Sequence, residues 1–206
     1  MNRLAEMQVT SDELRDRGLS MLRRALSVDS KPMVAARILR AAAESCPGDA
    51  DILGLYESVA RASGEWEILL DFLERRARLP EATPEQIREA VDLANTHGEG
   101  ARGEALLDRA VAAARASEEG LGSAIWAAVA LCRQKMRDDL QSARNLVYEI
   151  ADIAPADDVF ALGTEISSAA SQSEDGLALA AEVLEFLRQR DPARRDVWEP
   201  LVDTYR

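Results

Sequence analysis

The sequence has few of the residues on which sheets, disulfide frameworks and metal sites depend. Aromatic residues make up 4% of its 206 positions, and there are two cysteines and one histidine. Val, Ile and Thr form no alternating run, so we expect no β-sheet. Cys46 and Cys132 each stand alone in a helical stretch. This fits neither a disulfide framework nor a metal knuckle, and we expect both to be small buried apolar side chains.

Long apolar runs and basic charge are also scarce. No run of about 18 apolar residues is present to span a bilayer, and the N-terminus has no signal-peptide core, so we expect a cytoplasmic protein. The chain has 25 basic and 37 acidic residues, which gives a net charge of -12. This surplus repels phosphate backbones and anionic lipids, so we expect neither nucleic acid nor membrane surfaces as direct partners. A basic protein segment is favoured instead.

Alanine and leucine carry the apolar content, and their spacing is helical. The segment from Pro47 to Pro80 has two apolar stripes with a period near 3.6, separated by Ser63-Gly64. A glycine at this point suits the left-handed conformation that ends a helix. The segment therefore predicts two antiparallel helices joined by a very short turn.

Capping signals and prolines divide the rest of the chain in the same way. Thr83-Pro84-Glu85-Gln86 combines an N-cap, a first-turn proline and a capping-box glutamine. The remaining predicted helices begin near Thr10, Ser30, Gly100, Ser117, Asp138, Asp157, Gly176 and Arg194. If Asp196 caps the last of them, Pro200 still falls in the first turn of that helix.

Four prolines mark a repeat. Pro47, Pro80, Pro155 and Pro192 lie 33, 75 and 37 residues apart, and 75 is close to two periods of 37. A proline after every second helix indicates a repeated antiparallel pair, which is typical of a helical solenoid.

Several residues in these pairs resemble the tetratricopeptide repeat family. The resemblance rests on Trp198, Leu201 and Tyr205, on Leu53-Gly54 and Leu162-Gly163, and on Phe72 with Pro80, Ala143 with Pro155 and Ala180 with Pro192. It implies an all-α fold over residues 1–206, a single right-handed superhelix of about five hairpins plus one terminal helix. Armadillo-like units and half-a-tetratricopeptide units remain alternatives.

No residue pattern indicates catalysis. His97 precedes Gly98 at a helix end, where capping is the expected role. The glycine-rich stretch from Gly98 to Gly103 follows a helix and has no lysine, unlike a phosphate loop. We therefore expect a non-enzyme with no catalytic residues, metal or cofactor.

The resemblance implies that the first helix of each pair lines a concave groove. The candidate groove residues are Glu57, Arg61, Asp92, Asn95, Arg133 and Glu165. We expect a protein-interaction scaffold that holds a peptide or protein segment, preferably a basic one. The alternative is a regulatory module that senses a small molecule or an attached enzyme domain. The two differ in their site, since a sensor needs a closed apolar pocket and a scaffold an open groove.

The last predicted helix lacks a hairpin partner. Trp198, Leu201 and Tyr205 are therefore expected to form an exposed terminal surface that packs in part on the preceding helix. This pattern predicts that the chain is part of a longer protein. The sequence leaves the oligomeric state open.

Overall fold

A computed structural model describes residues 16–21, 23–24, 31–169 and 174–205. All regular structure over these residues is helical, so the all-α prediction is confirmed for this part of the chain. The helical residues 16–21 and 23–24 form α1. The following α-helices are α2 Pro32–Ser45, α3 Ala50–Ser63, α4 Trp66–Ala77, α5 Pro84–Thr96, α6 Gly100–Ala116, α7 Ile125–Asp138, α8 Leu140–Ile150, α9 Ala156–Ala169, α10 Glu174–Arg190 and α11 Trp198–Thr204. Within the described ranges, 3-10 helices also span Gly120–Ala124 and Arg195–Val197.

The chain divides into two compact units. Unit 1 is Met1–Leu79 and unit 2 is Pro80–Arg206. In unit 1, α3 contacts α2 and α4, and α2 also contacts α4. In unit 2, contacts join α5 to α6, α6 to α7, α7 to α8, α9 to α10 and α10 to α11, and alternate helices meet at α7–α9, α8–α10 and α9–α11. Each helix thus packs mainly on its neighbours in sequence, and the expectation of one domain over residues 1–206 stays a prediction.

Local capping chemistry sets the predicted helix ends. The Asp49 carboxylate accepts hydrogen bonds from the backbone N–H groups of Asp51 and Ile52, which begins α3. Gly64 ends α3 with φ +70°, the left-handed conformation predicted for it. Thr83 and Gln86 form both bonds of a capping box at the start of α5. The short turn and the capping box are therefore confirmed.

Two helix starts differ from the prediction. Before α7, the chain forms a 3-10 helix from Gly120 instead of an α-helix from Ser117, because Gly120 takes φ +60° and interrupts regular helical geometry. Before α11, Asp196 does not act as the N-cap. Its carboxylate instead accepts hydrogen bonds from the Arg194 guanidinium at 3.1–3.3 Å.

The two cysteines have different environments. Cys132 is fully buried on α7, as expected. Cys46 is exposed, and the expectation of burial was wrong for it. Cys46 follows the last residue of α2, where the chain turns and the apolar stripe of that helix has ended.

None of the helices in the described ranges has both the length and the apolar character needed to cross a membrane.

Candidate functional site

The structure pairs two predicted groove residues within a single helix of unit 1. Arg61 Nε lies 3.0 Å from Glu57 Oε1, one turn apart on α3. Arg76 of α4 lies 3.9 Å from the same carboxylate. Glu57 therefore takes part in a surface ion pair, which contributes about 0.2–1 kcal/mol when it is exposed.

Two more predicted groove residues lie on α5 in unit 2. Asp92 and Asn95 are both exposed. Asn95 Oδ1 lies 2.8 Å from the position that a Cβ atom would take on Gly103, so this amide lies directly against α6. The absence of a side chain at Gly103 thus gives Asn95 its place between the two helices of a pair.

The structure brings together the last two predicted groove residues. Arg133 Nε donates to Glu165 Oε2 at 2.8 Å, and the pair joins α7 to α9. Both side chains are a little under half exposed. Arg133 and Glu165 thus form one mixed-charge patch on two first helices of successive predicted pairs.

Arginines lie over aromatic rings elsewhere in unit 2. The Arg88 guanidinium of α5 lies 5.1 Å from the centre of the Trp126 ring on α7. Arg194 lies 4.7 Å from the ring centre of Phe160 on α9. Such contacts contribute roughly 0.5–1 kcal/mol when exposed, and they order the guanidinium groups over the aromatic rings.

Ion pairs between alternate helices recur along both units. Each of them joins residues separated by about the length of one predicted hairpin, from 31 to 38 positions. In unit 1 they are Arg40–Asp71 and Arg75–Glu44, and in unit 2 they are Arg115–Glu149, Arg133–Glu165 and Arg144–Glu182. These partners were not predicted from the sequence. A search for opposite charges one hairpin period apart would have found them.

The unit 1 pairs belong to a partly buried polar network centred on Asp71. Its carboxylate accepts hydrogen bonds from the Tyr56 hydroxyl, from Arg40 and, at 3.1 Å, from Arg75. Burial acts to raise the pKa of Asp71, but these three hydrogen bonds outweigh it and lower the pKa below its ordinary value. Burial, followed by the bond to Asp71, raises the pKa of Tyr56. The network holds α2, α3 and α4 together.

A cleft of about 340 Å³ lies in unit 2 and was missed by the sequence interpretation. Its apolar part consists of Val111, Leu131 and Leu146. The charged and polar lining residues are Asp108 and Arg115 of α6, Lys135 of α7, and Ser142, Asn145 and Glu149 of α8. We refer to it as the α6–α8 cleft. No single motif marks it in the sequence, because its lining comes from three helices.

The predicted terminal surface on α11 is divided between the core and the solvent. Trp198 is 50% exposed and Tyr205 is 68% exposed, whereas Leu201 is only 4% exposed. Val202, which was not predicted, is also exposed. Leu201 is therefore not part of an exposed surface, because it lies on the buried side of α11. Trp198 is partly covered by the Arg188 guanidinium, which lies 5.3 Å from the centre of its ring.

Within the described residues, no group of three or more His, Cys, Asp or Glu side chains is arranged to hold a metal ion. No protein-family model matches the chain, and a search of curated proteins finds no match to it.

Proposed function

We propose that the chain is a non-catalytic protein-interaction scaffold built from right-handed antiparallel helical hairpins of the tetratricopeptide type. The observation that carries this proposal is the recurrence of ion pairs between alternate helices at separations of 31 to 38 residues. Recurrent pairs at about one hairpin length are expected when equivalent helices of successive repeats lie side by side. The repeated contacts between alternate helices, such as α7–α9 and α9–α11, support the same plan.

The binding surface in unit 2 is formed by the first helix of each proposed pair, α5, α7 and α9. Asp92 and Asn95 are exposed on α5, and Arg133 and Glu165 form an exposed pair between α7 and α9. Both signs of charge occur on these helices, which argues against a basic clamp for a terminal carboxylate. The net charge of -12 favours a partner segment with net positive charge.

The sensor alternative is less well supported. A small-molecule sensor is expected to enclose its ligand in a largely apolar pocket. The α6–α8 cleft instead has charged residues at its rim, and two of these, Arg115 and Glu149, are 48% and 41% exposed. An exposed, charged rim suits a side chain of a partner better than a buried small molecule.

The test uses two capped synthetic peptides, one of alternating Lys and Ala and one of alternating Glu and Ala, with backbone amide shifts as the readout. We expect the Lys-Ala peptide to shift the amides of α5, α7 and α9 and to lose affinity as salt rises, because attraction between exposed charges is screened over about 8 Å at physiological salt. Glu165→Gln should weaken binding. The control Glu118→Gln, which removes an exposed acid from the loop after α6, should not. Stronger binding of the Glu-Ala peptide, or binding that salt leaves unchanged, would show the proposal to be wrong.

A further inference from the structure

The α6–α8 cleft has a regular geometry that an ion pair fixes at one end. Arg115 of α6 donates to both carboxylate oxygens of Glu149 on α8, with contacts of 2.8–3.1 Å. Seven residues earlier on each helix lie Asp108 and Ser142, which also line the cleft. Seven residues correspond to two turns and about 10 Å along a helix. The cleft therefore runs along the two helices for roughly this distance.

Between these ends the cleft has an apolar floor. Val111, Leu131 and Leu146 line it and are 2%, 2% and 6% exposed. These side chains come from three different helices, so the floor depends on the packing of α6, α7 and α8 together. An aliphatic chain laid on this floor would lose part of its contact with water, which favours binding.

The end at Asp108 has an excess of negative charge. Lys135 Nζ lies 2.5 Å from Glu104 Oε1 and 3.9 Å from Asp108 Oδ2, so two carboxylates share one ammonium group. The hydrogen bond to Glu104, opposed by desolvation and aided by Asp108, raises the pKa of Lys135, which stays charged. Asp108 is 55% exposed and is therefore accessible from solvent. The other end is neutral, because Arg115 and Glu149 compensate each other.

We propose that the α6–α8 cleft binds a lysine or arginine side chain of a partner segment. The aliphatic stem of that side chain lies on Val111, Leu131 and Leu146, and its cationic head pairs with Asp108. Acidic side chains are repelled by Asp108 and Glu104. An inorganic anion is disfavoured because it would have to compete with Glu149 for Arg115 and with Glu104 for Lys135. This inference rests on the proposed function, since it adds a second contact of a basic partner, on α6, α7 and α8, to the surface proposed on α5, α7 and α9.

The test uses three capped pentapeptides that differ only at the central residue, which is lysine, norleucine or glutamate, with alanine elsewhere. Norleucine keeps an aliphatic stem and removes the charge. We expect the lysine peptide to bind about three- to five-fold more tightly than the norleucine peptide, as for a partly exposed ion pair. Nuclear Overhauser contacts should join the lysine methylene protons to the methyl groups of Val111, Leu131 and Leu146.

Two variants and a matched control examine the assignment. Asp108→Asn should remove the preference for lysine over norleucine, whereas Asp152→Asn, which neutralises an exposed acid in the turn after α8, should preserve it. Asn145→Trp replaces an exposed residue of the cleft and fills it, so binding of both the lysine and the norleucine peptides should be lost. Wild-type amide shifts elsewhere in these variants would show that the fold is retained.

The outcomes separate this inference from the proposed function. The cleft assignment is wrong if Asp108→Asn leaves the lysine preference intact, if the contacts to the three apolar residues are absent, or if no binding is seen up to about 10 mM peptide. In these cases binding of the long Lys-Ala peptide to α5, α7 and α9, unaffected by Asn145→Trp, would leave the proposed function standing. If neither the long nor the short basic peptides bind, both proposals fail.

Discussion

Gly163 of α9 and Leu184 of α10 approach so closely that a Cβ atom on Gly163 would lie 2.8 Å from Leu184 Cδ2 and 3.0 Å from Leu184 Cγ. Leu184 is completely buried, so its side chain has little room to move away. The glycine therefore sets the distance between these two helices. Gly54 is the glycine of the other predicted Leu-Gly pair. Apart from its own stretch of helix, no atom lies within 4 Å of the position that a Cβ atom would take on Gly54.

These two glycines predict opposite effects of the same substitution. Gly163→Ala should destabilise unit 2 by about 1 kcal/mol, because overpacking costs about 1–3 kcal/mol and the gain in helix propensity offsets up to about 1. Gly54→Ala should stabilise unit 1 by about 0.5–1 kcal/mol, because the new methyl group meets open space on α3. Urea denaturation of each variant measures both changes. A gain in stability in both variants would mean that α9 and α10 move apart to admit the methyl group without loss of stability, and that Gly163 does not set their distance.

The Asp71 network predicts how the stability of unit 1 depends on pH. Because the folded pKa of Asp71 is lowered, its ionisation favours folding above the unfolded pKa of about 3.9, and this contribution is lost as pH falls through the lower folded pKa. Asp71→Asn should lower the free energy of unfolding at pH 7 by about 1–3 kcal/mol. The difference between wild type and variant should be constant above about pH 5 and shrink below about pH 4.

The unfolding of unit 1 can be followed by Trp66 fluorescence in a Trp126→Phe, Trp198→Phe background. Trp66 is then the one tryptophan left in the sequence, and it lies in unit 1. Glu67→Gln serves as the control, because it removes an exposed acid from α4, the helix that also carries Asp71. It should change stability by less than about 0.5 kcal/mol. A wild-type to Asp71→Asn difference that persists unchanged at pH 2 would contradict the role of the Asp71 charge.

The cysteines should differ strongly in reactivity towards a thiol reagent. Burial raises the pKa of Cys132 to about 12, and its thiol donates to the Ala143 carbonyl at 3.7 Å. With this pKa, about one Cys132 thiol in ten thousand is ionised at pH 8. The two cysteines also differ in access, because Cys46 is exposed and Cys132 is buried. We expect Cys46 to be labelled at once and Cys132 only when unit 2 opens. Labelling of the Cys46→Ser and Cys132→Ser variants measures each rate, and equal rates would contradict the burial of Cys132.

Arg190 is predicted to stabilise the turn that follows the C-terminus of α8. Its Nη1 atom donates to the backbone carbonyls of Ala151 and Ala154 at 2.6 and 2.7 Å. Arg190→Met should cost unit 2 about 1–3 kcal/mol, because charged hydrogen bonds to these carbonyls are lost. The exposed Arg195→Met is the matched control and should be nearly neutral. Thermal unfolding compares the two variants, and equal melting temperatures would argue against the role of Arg190.

The two sides of α11 predict unequal effects of neighbouring truncations. Leu201→Ala should cost about 2–4 kcal/mol, because a buried leucine leaves a cavity. Val202→Ala should change stability by less than about 0.5 kcal/mol, because Val202 is 44% exposed. Urea denaturation measures both, and a large loss from Val202→Ala alone would reverse this assignment of inner and outer sides.

The sequence by itself determined the features that depend on neighbouring residues. The helical class follows from the spacing of alanine and leucine, and the helix limits at Asp49, Gly64 and Thr83 follow from hydrogen bonds and backbone angles within one turn. The family resemblance placed Arg133 and Glu165 among the candidate groove residues, and the structure pairs the two side chains between α7 and α9. The groove itself stays a prediction.

Only the tertiary structure decided which residues meet across helices. The burial of Cys132 and exposure of Cys46, and the inward position of Leu201 beside the exposed Val202, depend on which side of each helix a neighbour covers. The α6–α8 cleft needs three helices to be packed before its floor and charged ends exist. Apolar periodicity specifies that a helix has a buried side, but it does not specify which residues of the neighbouring helices cover that side.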